Sequence, residues 1–254
     1  MKQRIKEYSL GLGLDDVGFA SVAGYHSPQG PEIETLFPGA RSIVVGCVRE
    51  MSHVESPNPQ LAMNGRLDVQ EFARGINYKL SRFIENECGG RAMSVPLSYP
   101  LNLDPAQTRT VADILLRHAA VAAGLGAFGR NNLVLHPRLG ARVLFLAVLT
   151  DLAIEPDEPV KENPCTGCNI CVETCPSRAL DVEGQTDFMK CIMASQPYGL
   201  PKNVMYWLQW AGRTPDEQKK MVLSKDFFMM YQAGFIGFQY FCYKCYAGCP
   251  VGRE

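Results

Sequence analysis

An α+β fold in two parts is predicted by three observations. Helical and strand-like segments interleave over the first 155 residues without repeating βαβ units. Residues 154–164, IEPDEPVKENP, carry three prolines and five charges and read as a linker. Of ten cysteines, only Cys47 and Cys88 lie in the first 164 residues, and eight crowd into the last 90. The expected organisation is an N-terminal α+β domain over 1–155 and a cysteine-rich domain over 156–254.

Composition suits such a chain. Its 254 residues are 46% apolar and 20% charged, enough core material for one or two domains. Lys plus Arg (25) and Asp plus Glu (26) nearly cancel, so bulk charge offers nothing to nucleic acid and no such partner is expected. The opening MKQRIKEYSLGLGLDD lacks the apolar core of a secretory signal. No run reaches the ~18–20 apolar residues of a membrane helix, so no membrane partner is expected either. The expected compartment is the cytoplasm, where disulfides seldom persist and the cysteines need another role.

Lys2 to Leu12 has the pattern of a helix weakened at its end by Gly11 and Gly13, and Asp16 to Val22 alternates like a strand. His26 to Gly39 is a Pro- and Gly-rich loop, and Ser42 to Val48 a buried strand in which Cys47 reads as a core thiol. Met51 to Gly65 is polar and reads as a loop. Val69, Phe72, Ile76, Leu80, Phe83 and Ile84 keep the helical period from Leu67 to Cys88, where Gly89-Gly90 supplies a stop. Arg91 to Leu97 is strand-like and Pro100 to Gln107 a second loop. A helix follows through Ala112, Leu115, His118, Ala119 and Ala122, with His118 read as structural. Strands are expected at Leu133 to Leu135 and Arg142 to Thr150.

Gly124, Gly126 and Gly129 spell G-x-G-x-x-G between that helix and those strands. A dinucleotide site needs strand, glycine turn, then helix, and here the order is reversed. The glycines then serve either a tight connection or a backbone brought close to a large flat ligand.

The cysteines carry the chemistry. Cys165-x-x-Cys168-x-x-Cys171-x-x-x-Cys175-Pro176 reproduces the bacterial ferredoxin spacing, in which three cysteines wrap one [4Fe–4S] cluster and the fourth serves a neighbour. Cys191, then Cys242-x-x-Cys245-x-x-x-Cys249-Pro250, repeats it with residues 192–241 inserted after the first ligand. Two clusters with exchanged ligands follow: Cys165, Cys168, Cys171 and Cys249 for one, and Cys175, Cys191, Cys242 and Cys245 for the other. Zinc also binds C-x-x-C pairs, but the third cysteine and the repeated Cys-Pro are not a zinc-ribbon spacing. A thioredoxin-like pair would leave most of the cysteines unexplained. The insert holds Trp207, Trp210 and many Met, Phe and Tyr residues, and Thr214-Pro215-Asp216-Glu217 is a helix start. It is placed either to shield a cluster from water or to close a ligand cavity.

The stretch AGLGAFGRNNLVLHPRLGARV (123–143), preceded by FPGARSIVV (37–45) and FARGINYKLSRF (72–83) and followed by both cysteine motifs, resembles the epoxyqueuosine reductase and corrinoid-dependent reductive dehalogenase superfamily. The resemblance implies a nitroreductase-like domain that binds a corrinoid (cobalamin), beside a ferredoxin-like module whose clusters pass electrons to cobalt. It places Gly124, Gly126, Phe128, Gly129, Asn131 and Asn132 against the corrinoid. Candidate proton donors are Tyr78, within a matching motif, and Tyr99 and Asp104 by loop position. The family's acidic proton donor falls in register on Thr110, with Asp113 nearby but out of register. The helical tail used for tRNA has no counterpart after Pro250, and the twin-arginine signal of respiratory dehalogenases is not present at the start. The expectation is thus an iron–sulfur oxidoreductase, fed by a carrier such as a flavodoxin or ferredoxin, that reduces a small molecule or a partner-bound corrinoid. The alternative is a two-cluster electron-transfer protein with a docking domain and no corrinoid.

Overall fold

The computed structural model describes residues 1–97, 101–104, 109–235, 237 and 241–253. It separates into two compact units, each built from non-consecutive segments: Met1–Glu50, Val69–Gly167 and Pro250–Glu254 in one, Met51–Asp68 and Cys168–Cys249 in the other. This differs from a single cut after residue 155. The linker stays with the first unit because Asp157 pairs with an edge strand: its N–H donates to Phe19 O (2.8 Å) and its Oδ2 accepts from Phe19 N (3.0 Å).

The first unit runs through α1 (Lys2–Gly11), β1 (Asp16–Ser21), α2 (Ile33–Leu36), β2 (Ser42–Arg49), α3 (Pro59–Cys88) and β3 (Ala92–Ser94). It continues with β4 (Asn102–Asp104), β5 (Arg109–Val111), α4 (Leu116–Ala122), β6 (Ala127–Phe128), β7 (Val134–Leu135) and β8 (Val143–Thr150). The first ten residues of α3 belong to the second unit. An antiparallel sheet in the order β1-β2-β8-β3 is its centre.

Both faces of that sheet are covered, which is why β2 and β8 read as continuous apolar runs rather than alternating ones. Ile43, Val45, Cys47, Phe145, Ala147 and Leu149 face a core shared with α4, Leu125 and Val134. Val44, Val48, Leu144, Leu146 and Val148 face a second core, filled by Ile5 of α1 and by Val69, Ala73, Ile76, Leu80 and Ile84 of α3. The spacing along α3 is the helical period expected for one buried stripe.

Two segments depart from the sequence reading. The long helix begins at Pro59 rather than Leu67, because Asn58 caps it: Oδ1 accepts from Gln60 N (2.9 Å) and Leu61 N (3.3 Å), with proline as first helical residue. The stretch expected as a loop around 100–107 includes β4, which pairs antiparallel with β5. Among the described residues, no helix is long and apolar enough to cross a membrane.

The turn before β8 is held from both ends. His136 is buried, its Nδ1 accepts from Arg138 N and Leu139 N (3.2 Å each), and Nε2 therefore carries the proton toward Asp16 Oδ2 (3.2 Å). That hydrogen bond is the largest influence holding the Asp16 carboxyl below its ordinary value of 3.8. At Gly140 (φ +61°) a Cβ would lie 1.8 Å from Val251 O, and Arg142 Nη1 donates to the same carbonyl (3.3 Å). Gly252 (φ +71°) answers with equally close approach to Leu139 and Gly140.

Two outcomes follow from these contacts. Gly140→Ala combines left-handed strain with a backbone clash and is expected to cost about 2–4 kcal/mol, seen as a lower thermal midpoint. Gly75→Ala, whose Cβ meets open space on α3, is the control and leaves the midpoint equal or higher. The Asp16 stabilisation is complete above pH 3.8 and is lost as pH falls below it, because the folded state holds that carboxyl more acidic than the unfolded chain does. Asp16→Asn should therefore flatten the acid limb of a stability-versus-pH curve and lower stability near neutral pH.

Candidate functional site

The glycine segment sits on the α4 face of the sheet. Gly129 N donates to Leu133 O (2.8 Å) and Asn132 N to Gly129 O (2.9 Å), closing a turn in which Asn132 is left-handed (φ 58°). A Cβ on Gly124 would meet Glu158 O at 2.4 Å, one on Gly126 would meet Leu135 O at 2.4 Å, and one on Gly129 would meet Leu135 Cδ1 at 2.8 Å. The fold thus requires Gly124 and Gly126, whatever else the segment binds, while the nearest neighbours of Gly129 are side-chain atoms. Asn131 is buried, and its Oδ1 accepts from Leu133 N (3.1 Å).

Beside the segment, His118 of α4 lies with its ring 5.0 Å from Phe128. Its Nδ1 is buried without a hydrogen-bond partner. Burial, reinforced by the Arg117 charge, pushes its pKa down, so the ring is neutral at pH 7. Arg117 itself donates to Asn132 O. An orphaned nitrogen beside an aromatic ring fits a polar edge of a bound ligand, and nothing in the sequence distinguished this histidine from a packing residue.

The same segment reaches the first cysteine. Asn163 Nδ2 donates to Phe128 O (2.9 Å), Asn163 Oδ1 accepts from Cys165 N (2.9 Å), and Arg130 N donates to Cys165 Sγ (3.4 Å). The boundary between units then falls inside the C-x-x-C run, after Gly167.

The second unit contains α5 (Ile170–Glu173), α6 (Phe188–Ser195), α7 (Leu200–Ala211), α8 (Pro215–Val222), α9 (Lys225–Phe235) and α10 (Lys244–Gly248). Asn169 (φ 59°) bends the chain between Cys168 and Cys171. Gly248 of α10 packs on Ile170 and Thr174, its Cβ position 3.4 Å from each side chain. Cys191 lies on α6, which Asp187 caps through Lys190 N (3.0 Å).

Electrostatics reports which thiols meet. Burial, and then the charges of Cys171, Cys242, Cys175 and Cys191, push the Cys245 thiol up to about 12. Burial also acts to raise Cys175, but the N–H groups of Ala179, Ser177 and Arg178 and the Ser177 hydroxyl outweigh it and hold the thiol below its ordinary value. Ala179 N approaches Cys175 Sγ at 3.3 Å. A crowd of thiols, one already stabilised as thiolate, is a donor set suited to cationic iron. Among the described residues no three His, Cys, Asp or Glu side chains converge on one ion-sized point. None of the ten cysteines is in a disulfide. Cys47 lies in the sheet core, where burial, then Asp16 and Asp15, raise it to about 12.

Of the three candidate proton donors, Tyr78 alone has a described side chain. Tyr78 is 63% exposed, on the outer side of α3 with Arg82 over its ring (5.8 Å). Since α3 covers the sheet face opposite the glycine segment, the structure does not bring Tyr78 to it. Tyr99 lies outside the described residues. Asp104 ends β4 opposite Arg109. Asp113 accepts from Asn102 Nδ2 (2.6 Å). In the insert, α8 has the expected capping box between Thr214 and Glu217. Tyr206, Trp207, Trp210 and Phe227 form an aromatic cluster, while Leu200, Leu208 and Leu223 remain exposed.

No family model matches the sequence. Among curated relatives, epoxyqueuosine reductase of Aliivibrio fischeri is 37% identical over 286 aligned residues, covering 100% of this chain and 67% of the relative. That of Staphylococcus aureus is 24% identical over 100% of this chain and 65% of its own length, and that of Bacillus cereus 28% identical over 76% and 55%. The chain thus spans between about half and two thirds of these relatives. Selenomethionine-labelled epoxyqueuosine reductase has a similar fold, with a TM-score of 0.64 at 20% identity over 100% of this chain and 66% of that one. The reductive dehalogenase NpRdhA in complex with 3-bromo-4-hydroxybenzoic acid gives 0.57 at 19% identity over 74% and 28%. An epoxyqueuosine reductase solved with an epoxyqueuosine-modified tRNA stem loop gives 0.58 at 21% identity over 78% and 58%, so near-neutral charge is no argument against nucleic acid in such a fold. With its mixed α+β fold, shared with solved epoxyqueuosine reductases and reductive dehalogenases, and these identities, the chain belongs to the epoxyqueuosine reductase family.

Proposed function

We propose that the chain is an iron–sulfur oxidoreductase in which two [4Fe–4S] clusters carry electrons to a corrinoid bound by the N-terminal unit. The observation that carries this reading is the ferredoxin spacing of the eight cysteines, supported by the charges of Cys171, Cys242, Cys175 and Cys191 acting on Cys245. Cys165, Cys168, Cys171 and Cys249 hold one cluster, and Cys175, Cys191, Cys242 and Cys245 the other. A small one-electron carrier, a flavodoxin or ferredoxin, supplies the electrons. The substrate is a small molecule or a corrinoid on a partner.

The residues divide the work. N–H donors hold the Cys175 thiol below its ordinary value before any iron arrives, which lowers the proton cost of ligation. When bound, the corrinoid supplies a low-valent cobalt able to reduce an acceptor. Phe128 offers it an apolar flank, and the neutral His118 ring offers a hydrogen bond to a polar edge of the cofactor or substrate.

A second reading, an electron-transfer protein with no corrinoid, draws on one observation. The spaces at Gly124, Gly126 and Gly129 are filled by the chain itself.

Anaerobic reconstitution followed by cob(II)alamin titration separates them. The first reading expects about eight irons per chain and a cobalt EPR signal perturbed by excess protein. An unperturbed signal favours the second, and zinc in place of iron sinks both. Cys249→Ser should selectively damage the cluster of Cys165, Cys168 and Cys171. Loss confined to the other cluster's EPR signature would refute the exchanged-ligand scheme.

A further inference from the structure

The glycine segment and the first cysteine, read separately in the sequence, are joined by three hydrogen bonds within one unit, and one of them goes to sulfur. We infer that the backbone N–H of Arg130 sets the reduction potential of the cluster that Cys165 ligates, with Asn163 as the positioning residue. The inference rests on the proposed role of Cys165 as a cluster ligand.

The neighbouring N–H groups of the turn are already engaged. Gly129 N is taken by Leu133 O, Asn132 N by Gly129 O, and Leu133 N by the Asn131 side chain. Arg130 occupies the second position of that turn, and its N–H points out of it, to Cys165 Sγ at 3.4 Å. Asn163 fixes the distance. It grips Phe128 O with its amide nitrogen and Cys165 N with its amide oxygen, tying the cysteine backbone to the strand that leads into the turn.

The sign follows from charge. Reduction adds an electron to the cluster and its sulfurs, and a donor aimed at a ligating sulfur stabilises that added negative charge. The hydrogen bond therefore raises the potential, and its loss lowers it.

Potentiometric titration of the reconstituted full chain, with dithionite as reductant and EPR as readout, tests this. Arg130→Pro removes the N–H, and proline suits the second position of a β-turn, so the turn survives. At a fixed ambient potential the reduced-to-oxidised ratio of one cluster should fall about tenfold, ~59 mV for a one-electron couple. The other cluster should keep its potential. Arg130→Ala keeps the N–H and should keep the potential. Asn163→Ala leaves the N–H but unties Cys165, and should shift the same cluster in the same direction.

Unchanged potentials in Arg130→Pro and Asn163→Ala at full iron content would overturn the inference. So would an equal shift in Arg130→Ala, which assigns the effect to the side chain. Should Arg130→Pro fail to fold, Asn163→Ala alone decides. Wild-type chain that takes up no iron fails the underlying cluster reading, and the iron count before titration identifies that case.

Discussion

Ionised thiols repel one another, and the second unit brings several of them together. Cys245 answers by keeping its proton, while Cys175 answers with N–H donors. Among the described residues, the apolar support of this unit is modest beside that of the first. Its described apolar core centres on Val54, Ala62 and Tyr243, whereas the first unit has two extensive cores on either side of a sheet. A segment with so small a core needs a staple, and bound metal is the usual one where disulfides are missing. On the proposed cluster reading, ligation of the cysteines would also help to fold the second unit.

Much of the first unit was legible from its residues. The uninterrupted apolar runs of β2 and β8 announced strands buried on both faces, and the stripe from Val69 to Ile84 announced the helix across one of them. The Asn58-Pro59 start of α3 was present in the sequence but masked by the polar stretch after it. The division into units was less legible, because it depends on what Asp157 and Val251 touch, and hydrogen bonds between distant residues leave no periodic trace.

The site divides in the same way. Eight cysteines declare themselves by spacing, a local property. His118 does not, since an orphaned ring nitrogen is defined by what surrounds it. Tyr78 shows the converse: it lies in a motif shared with the family, yet a helix turns it to solvent on the far side of the sheet. Gly124, Gly126 and Gly129 belong to the most specific part of the resemblance, and backbone packing within the unit demands the first two. A motif of this kind persists through folding requirements as readily as through ligand contact.

The antiparallel pairing of β2 with β8 sets an order in time. Ser42 faces Thr150, so the two central strands are separated by roughly a hundred residues, on the order of 5–20 s of synthesis at ~5–20 residues per second. Until then β1 and β2 form a two-stranded ribbon, which is marginal in water. The pairing is non-local and slow by nature. The cysteine run begins only fifteen residues beyond β8. During translation, the first thiols of that run emerge just as the four-stranded sheet acquires its centre.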